Sequence, residues 1–213
     1  MAVRDWLLES FEQRRSTAFL LGGLLLLVDV GPVSANIVTG VDDWLVLGQM
    51  FVGAAWTAAL IGLLGLYPEL ADRSRWLSRA GAVFAVIGVV TFGVMSVTSL
   101  LYYVGIPSGE YEAIGSLFLP GVIVGSVLGF VVFGIATLRA GVPSRTVGVL
   151  LLVPPLLVVT NIVRFVAGFQ SVTITLGIVV GDALALLALG YVLRTESRPP
   201  GRTAKTPTGV RDD

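Results

Sequence analysis

The basic residues of this chain alternate in a way that leaves few folds open to it. Six long apolar runs, at 17–38, 45–67, 80–104, 114–138, 146–167 and 172–193, divide the sequence. Each exceeds the roughly 20 residues that an α-helix needs to cross a bilayer. Arg4, Arg14 and Arg15 precede the first run, and Arg73, Arg75 and Arg79 separate the second from the third. Arg139 and Arg145 flank the gap between the fourth and fifth, while Arg194, Arg198, Arg202, Lys205 and Arg211 follow the sixth. The intervening gaps hold Asp42 and Asp43, then Glu110 and Glu112, then no charge at all. Cytoplasmic loops of membrane proteins collect Lys and Arg. The pattern predicts an all-α fold, a six-helix transmembrane bundle of the cell membrane with both termini cytoplasmic. Residues 1–16 read as a cytoplasmic surface leader, 17–194 as the six-span domain and 195–213 as a disordered cytoplasmic tail.

Composition narrows the chemistry. With 55% hydrophobic and 13% charged residues, the chain has little left for a soluble domain. It contains no Cys and no His. That removes thiolate and imidazole ligands for zinc, copper, haem iron and iron–sulfur clusters, and with them Cys nucleophiles and His general bases. Lys205, in the tail, is the single lysine, so no lysine within a span is present to form a Schiff base. No cofactor, no metal centre and no enzymatic activity are expected. The expected partners are the lipid bilayer and either a second copy of the chain or another membrane protein, with no nucleic acid.

At the leader, Val3, Trp6, Leu7 and Phe11 recur at helical spacing among charged residues, which suits either a short helix on the inner membrane surface or a frayed polar leader. The chain lacks the short apolar core and small-residue cleavage site of a secretory signal there, so the first span is expected to be retained. The tail, rich in Pro, Thr and Arg, reads as disordered.

Glycine placement points to close helix contacts. The fourth run carries Gly121, Gly125 and Gly129 at four-residue spacing, and the sixth carries Gly177 and Gly181. Small residues on one face let membrane helices approach closely. Both stripes are expected to pack against neighbouring spans or across a dimer interface. A second pattern joins the even-numbered runs: Gly53 and Gly62, Gly125 and Gly134, and Gly181 and Gly190 each lie nine apart. Nine residues is two and a half helical turns, so each pair offers opposite faces. The pattern hints at three hairpins related by an axis along the membrane normal.

Charged groups within spans are costly and face the bundle interior, so each is a functional candidate. Asp29, Arg164 and Asp182 are the three. At about 1.5 Å per residue, Asp29 and Asp182 lie about 17–18 Å deep from the basic side, near the midplane, and Arg164 lies near the opposite boundary. Asn36 follows Asp29 on the same face of its run, and Asn161 shares a face with Arg164; Gln49, Thr91 and Thr98 add to a polar layer at that level. Asp29, Asn36, Asn161, Arg164 and Asp182 could form an ion- or substrate-binding cavity. Equally, either aspartate could pair with Arg164 as glue between helices, Asp182 being the favoured partner. Gly31-Pro32 and Pro154-Pro155 fall in the spans, where proline removes an amide donor and kinks helices. Broken helices at the midplane are also where transporters build their sites.

Gly181-Asp182 resembles part of the Gly-x-Gly-Asp motif of intramembrane aspartyl proteases, but position 179 is Val and Asp29 lacks the preceding Tyr. The likeness covers two residues. More broadly, the stretch GLLGLYPELADRSRWLSRAGAVFAVIG and the dominance of Arg over Lys resemble small polytopic membrane proteins of halophilic archaea and GC-rich prokaryotes. That resemblance implies a membrane bundle and no activity. Two functions fit the residues: a small transporter or channel-like permease, or a non-transporting accessory subunit acting through glycine-faced contacts.

Overall fold

The computed structural model of the chain describes residues 2–106, 119–169 and 171–196, with residues 2–13 as backbone only. The elements are α1 (Ala2–Thr39), α2 (Asp42–Leu64), α3 (Tyr67–Ala71), α4 (Arg75–Tyr103), α5 (Leu119–Ala140), α6 (Arg145–Leu151), α7 (Val153–Val166) and α8 (Val172–Glu196). No strand occurs among the described residues. Six stretches are long and apolar enough to cross a bilayer: α1 from Arg14, α2, α4, α5, α6 with α7, and α8. The chain thus has the make-up of a multi-pass integral membrane protein.

Helix α4 shows why lipid, not water, is the matching solvent. Val83, Val86, Val90, Val94 and Val97 recur at helical spacing and are exposed. The opposite face buries Gly81, Ala85, Gly88, Phe92, Met95 and Ser99. Branched apolar side chains point outward while small residues sit between helices, the distribution expected where no hydrophobic effect separates helix from surroundings.

Each span packs against its neighbours in sequence, and α8 closes on α1, so the six form a ring. Glycines set several of these contacts. Gly125 of α5 lies directly against Gly88 of α4, where a Cβ on Gly88 would come within 2.7 Å of the Gly125 Cα. Gly121 backs onto Thr91 of α4, and Gly129 makes ordinary contact with Ala85. Gly181 touches Leu157 of α7. Gly177 departs from the expected packing role, because a side chain there would meet nothing within 4 Å. It lies near the start of α8.

The glycines nine apart do serve opposite faces. Gly53 meets Phe92 and Ser96 of α4 while Gly62 meets Phe19 of α1; Gly134 meets Leu152 and Gly148, and Gly190 meets Leu20 and Ser16. In α5 and α8 the first glycine of the pair faces the preceding span and the second faces the next span around the ring. Helix α2 reverses that order, so the paired glycines do not play the same role in all three hairpins.

Two spans are irregular. Within α5, residues Ile123–Leu128 form a π-helical segment, and Ser126 Oγ donates to the Val122 carbonyl at 2.6 Å. Between α6 and α7 the helix breaks at Leu152, just before Pro154 and Pro155. Proline at the start of α7 costs nothing there, since first-turn amides have no intrahelical partner. Gly31-Pro32, by contrast, does not end α1, which runs unbroken from Ala2 to Thr39. The expected leader is therefore continuous with the first span, and the tail lies outside the described residues apart from Thr195 and Glu196.

The basic end of the ring is plugged. Short helix α3 and the residue before it lie there, with Leu66 and Leu70 fully buried in the same core cluster as Phe19, Leu63, Phe133 and Leu193. Arg15 of α1, 7% exposed, holds this lid through an ion pair from Nη1 to Glu69 Oε1 at 2.7 Å. Arg73 Nη1 adds a bond to the Ala140 carbonyl at 3.3 Å.

Candidate functional site: a carboxylate-floored cavity

Above this plug the ring encloses a cavity of about 610 Å³ that reaches toward the opposite end, where α1 turns into α2 and α7 into α8. All six spans contribute to its wall. Asp29 and Asp182 stand at the deep end with Trp56, while Asn36, Leu45 and Ser171 lie toward the other end.

Local packing explains how two acids come to be there. Asp29 of α1 is fully buried, and neither carboxylate oxygen has a hydrogen-bond partner. It is admitted by Gly48 of α2: a Cβ at that position would lie 2.8 Å from Asp29 Oδ1. Asp182 of α8 is 6% exposed and its Oδ1 also lacks a partner. Helices α1 and α8 run antiparallel, with Gly23 against Ala183 and Leu187, and Gly190 against Ser16 and Leu20. That register sets Asp29 less than one turn, about 4–5 Å, nearer the far end than Asp182. The sequence expectation of a shared level thus differs from the structure by under a turn.

Arg164 does not join them. Its Nη1 donates to the Ser171 carbonyl at 2.8 Å, and its Nη2 donates to Asn161 Oδ1 at 2.9 Å and Thr175 Oγ1 at 2.8 Å. The guanidinium clips the end of α7 to the start of α8 and stays outside the cavity wall. Among the described residues the ion pair formed is Arg15 with Glu69, not Arg164 with either aspartate. The expected pairing is therefore corrected. Its physical reason is height: acceptors of the short connecting segment lie within reach of Arg164, and the aspartates lie deeper.

The remaining expected polar groups divide. Asn161 reaches the cavity while holding Arg164, and Asn36 reaches it while donating from Nδ2 to the Val41 carbonyl at 3.0 Å. Gln49 also lines the wall. Thr91 and Thr98 do not; their hydroxyls return to the carbonyls of Ile87 and Val94, the usual way a helix absorbs a threonine.

Several lining groups carried little sequence signal. Trp56 stacks on Phe92 with ring centroids 5.8 Å apart and meets Phe130 edge-on at 5.7 Å. Trp56 and Phe92 both present surface to the cavity. Trp56 sits in mid-span, away from the interfacial belts where tryptophan is common, and that position was the available signal. Ser126 faces the cavity from the π-helical segment, a feature that no residue pattern announces. Such segments concentrate at functional sites. No group of three His, Cys, Asp or Glu side chains converges among the described residues.

Comparison of the chain with known protein families, with curated proteins and with solved structures gave no match. The functional reading therefore stands on this geometry.

Proposed function

We propose that the protein is a small permease of the cell membrane that carries a cation or a proton, with Asp29 and Asp182 as the groups that hold it. One observation carries this reading: two buried carboxylates without counter-charge stand at the floor of a cavity built by all six spans. A buried carboxylate is costly in hydrocarbon, and interhelical glue would require a partner that Asp29 lacks. A proton or a bound cation supplies the missing compensation.

The alternation of basic residues supports a cytoplasmic side for both termini and the plugged end, and in this reading the cavity faces outward. Passage to the other side requires the α3 plug and the Arg15–Glu69 pair to open. The π-helical segment of α5 and the break before α7 supply places for two spans to bend. In this reading Asp29 and Asp182 bind and release; they do not catalyse. The accessory-subunit alternative has weaker support, since Gly121 and Gly125 are used inside the bundle and Gly177 alone of that stripe set is left open.

The test is flux. Full-length protein in liposomes should dissipate an imposed gradient of protons, alkali cations or an organic cation faster than protein-free vesicles do. The double variant Asp29→Asn with Asp182→Asn should remove the difference. Equal rates for wild type, variant and empty vesicles with all three classes would overturn the proposal.

A further inference from the structure

We infer that the cavity's ligand is a bulky lipophilic organic cation, of the alkyl- or arylammonium or phosphonium class, in preference to a bare inorganic ion. The inference rests on the permease reading and adds the chemistry of its cargo. It follows from size, charge and wall composition together.

Size comes first. A volume of about 610 Å³ lies in the middle of the range of small-molecule sites, roughly 300–1,000 Å³. One water occupies about 30 Å³ of liquid, so a lone alkali ion would leave most of the space to solvent or void. Divalent ions are poorly served for another reason. Calcium takes about 6–8 oxygen ligands and magnesium demands near-octahedral coordination, whereas the cavity presents two carboxylates on different helices and no third acidic side chain converges with them among the described residues.

Charge sets the sign. Asp29 and Asp182 line the cavity with buried oxygens that lack a partner, and among the described residues no Lys or Arg lines it. The nearest guanidinium by sequence, Arg164, is engaged by Ser171, Asn161 and Thr175. An anion would meet two negative groups and no positive one.

The wall sets the character. Leu26, Val52, Met95 and Ile178 are apolar, and Trp56 and Phe92 add aromatic surface to the same cavity. Aromatic faces attract cations, tryptophan most strongly, and the effect grows where water is excluded. A hydrophobic body with one buried positive charge matches all three features, the body against aliphatic and aromatic walls and the charge toward the floor.

Tetraphenylphosphonium and tetraphenylborate form a probe pair of one shape and opposite charge. Equilibrium dialysis of each against purified full-length protein in detergent, with empty micelles subtracted, makes the comparison without any variant. Saturable binding is expected for tetraphenylphosphonium and none for tetraphenylborate. Asp29→Asn and Asp182→Asn should each weaken the cation at least tenfold, and Trp56→Leu several-fold, in variants whose melting temperature is retained. Equal binding of the two probes would overturn the inference, as would a folded Asp29→Asn, Asp182→Asn variant that binds the cation unchanged. Absent phosphonium binding with intact proton or alkali-cation flux would sink the organic-cation inference and leave the permease reading standing. Absence of both would sink both.

Discussion

Gly48 of α2 makes room for Asp29 of α1: a Cβ on Gly48 would lie 2.8 Å from the carboxylate oxygen Oδ1. The acid is therefore seated by a missing side chain on the neighbouring helix, with no hydrogen bond to hold it. Gly48→Ala should force Asp29 to move or prise α1 from α2. Overpacking of this kind costs about 1–3 kcal/mol. The expected result is a lowered melting temperature in detergent together with weakened cation binding. A variant with wild-type stability and wild-type binding would show that Asp29 is not fixed by this contact.

The glycines of α5 and α8 should behave differently although their spacing is alike. Gly125 sits against the Gly88 backbone, so Gly125→Leu has no space and should destabilise the bundle strongly. Gly177 has nothing within 4 Å, so Gly177→Leu should leave the melting temperature within a degree or two. Thermal unfolding of the two variants side by side decides it. If Gly177→Leu changes the oligomeric state, that open face is an interface between copies.

Arg164 should couple to Thr175 and not to Asp182. In a double-mutant cycle, Arg164→Leu with Asp182→Leu should be additive within about 0.3–0.5 kcal/mol, as for independent sites. Arg164→Leu with Thr175→Val should depart from additivity by about 0.5–3 kcal/mol, as for residues in one network. Chemical unfolding in mixed micelles supplies the values, and strong coupling to Asp182 would restore the ion pair that the structure lacks.

Glu69→Ala leaves the guanidinium of Arg15 buried without its counter-charge. Removing one partner of a buried pair costs about 3–5 kcal/mol, and Glu69's partial exposure puts the loss at the low end. Replacing both residues by Leu should recover much of it. Single-variant instability equal to that of the pair would mean that α3 is held by Leu66 and Leu70 alone.

Six spans were legible because hydropathy over about 20 residues and the placement of arginine are strong, additive signals. Depth from helical rise brought Asp29 and Asp182 to nearly the same level for the same reason. What the sequence did not show depends on rotation and reach. The partner of Arg164 turns on which acceptors lie within one side chain's length, and Ser171, in the connecting segment, carries no pattern. The idle Gly177 and the working Gly125 share one spacing; only the position of a neighbouring helix separates them. The role of Gly48 was hidden likewise, since one glycine among 26 says nothing about the acid it faces.

The central claim is that the cavity above the two carboxylates can be reached by water from the acidic-loop side and not from the plugged side. The chain has no cysteine, so single cysteines report cleanly. Val33→Cys and Val179→Cys line the cavity, Val90→Cys faces lipid, and Ser74→Cys lies at the basic end. An impermeant, positively charged methanethiosulfonate applied to intact cells should modify positions 33 and 179 and spare 90 and 74. Prior addition of tetraphenylphosphonium should slow the reaction at 33 and 179. Protection of 33 and 179 at the level of 90 would mean a dry bundle, and modification of 74 from outside would invert the topology; either result contradicts the account.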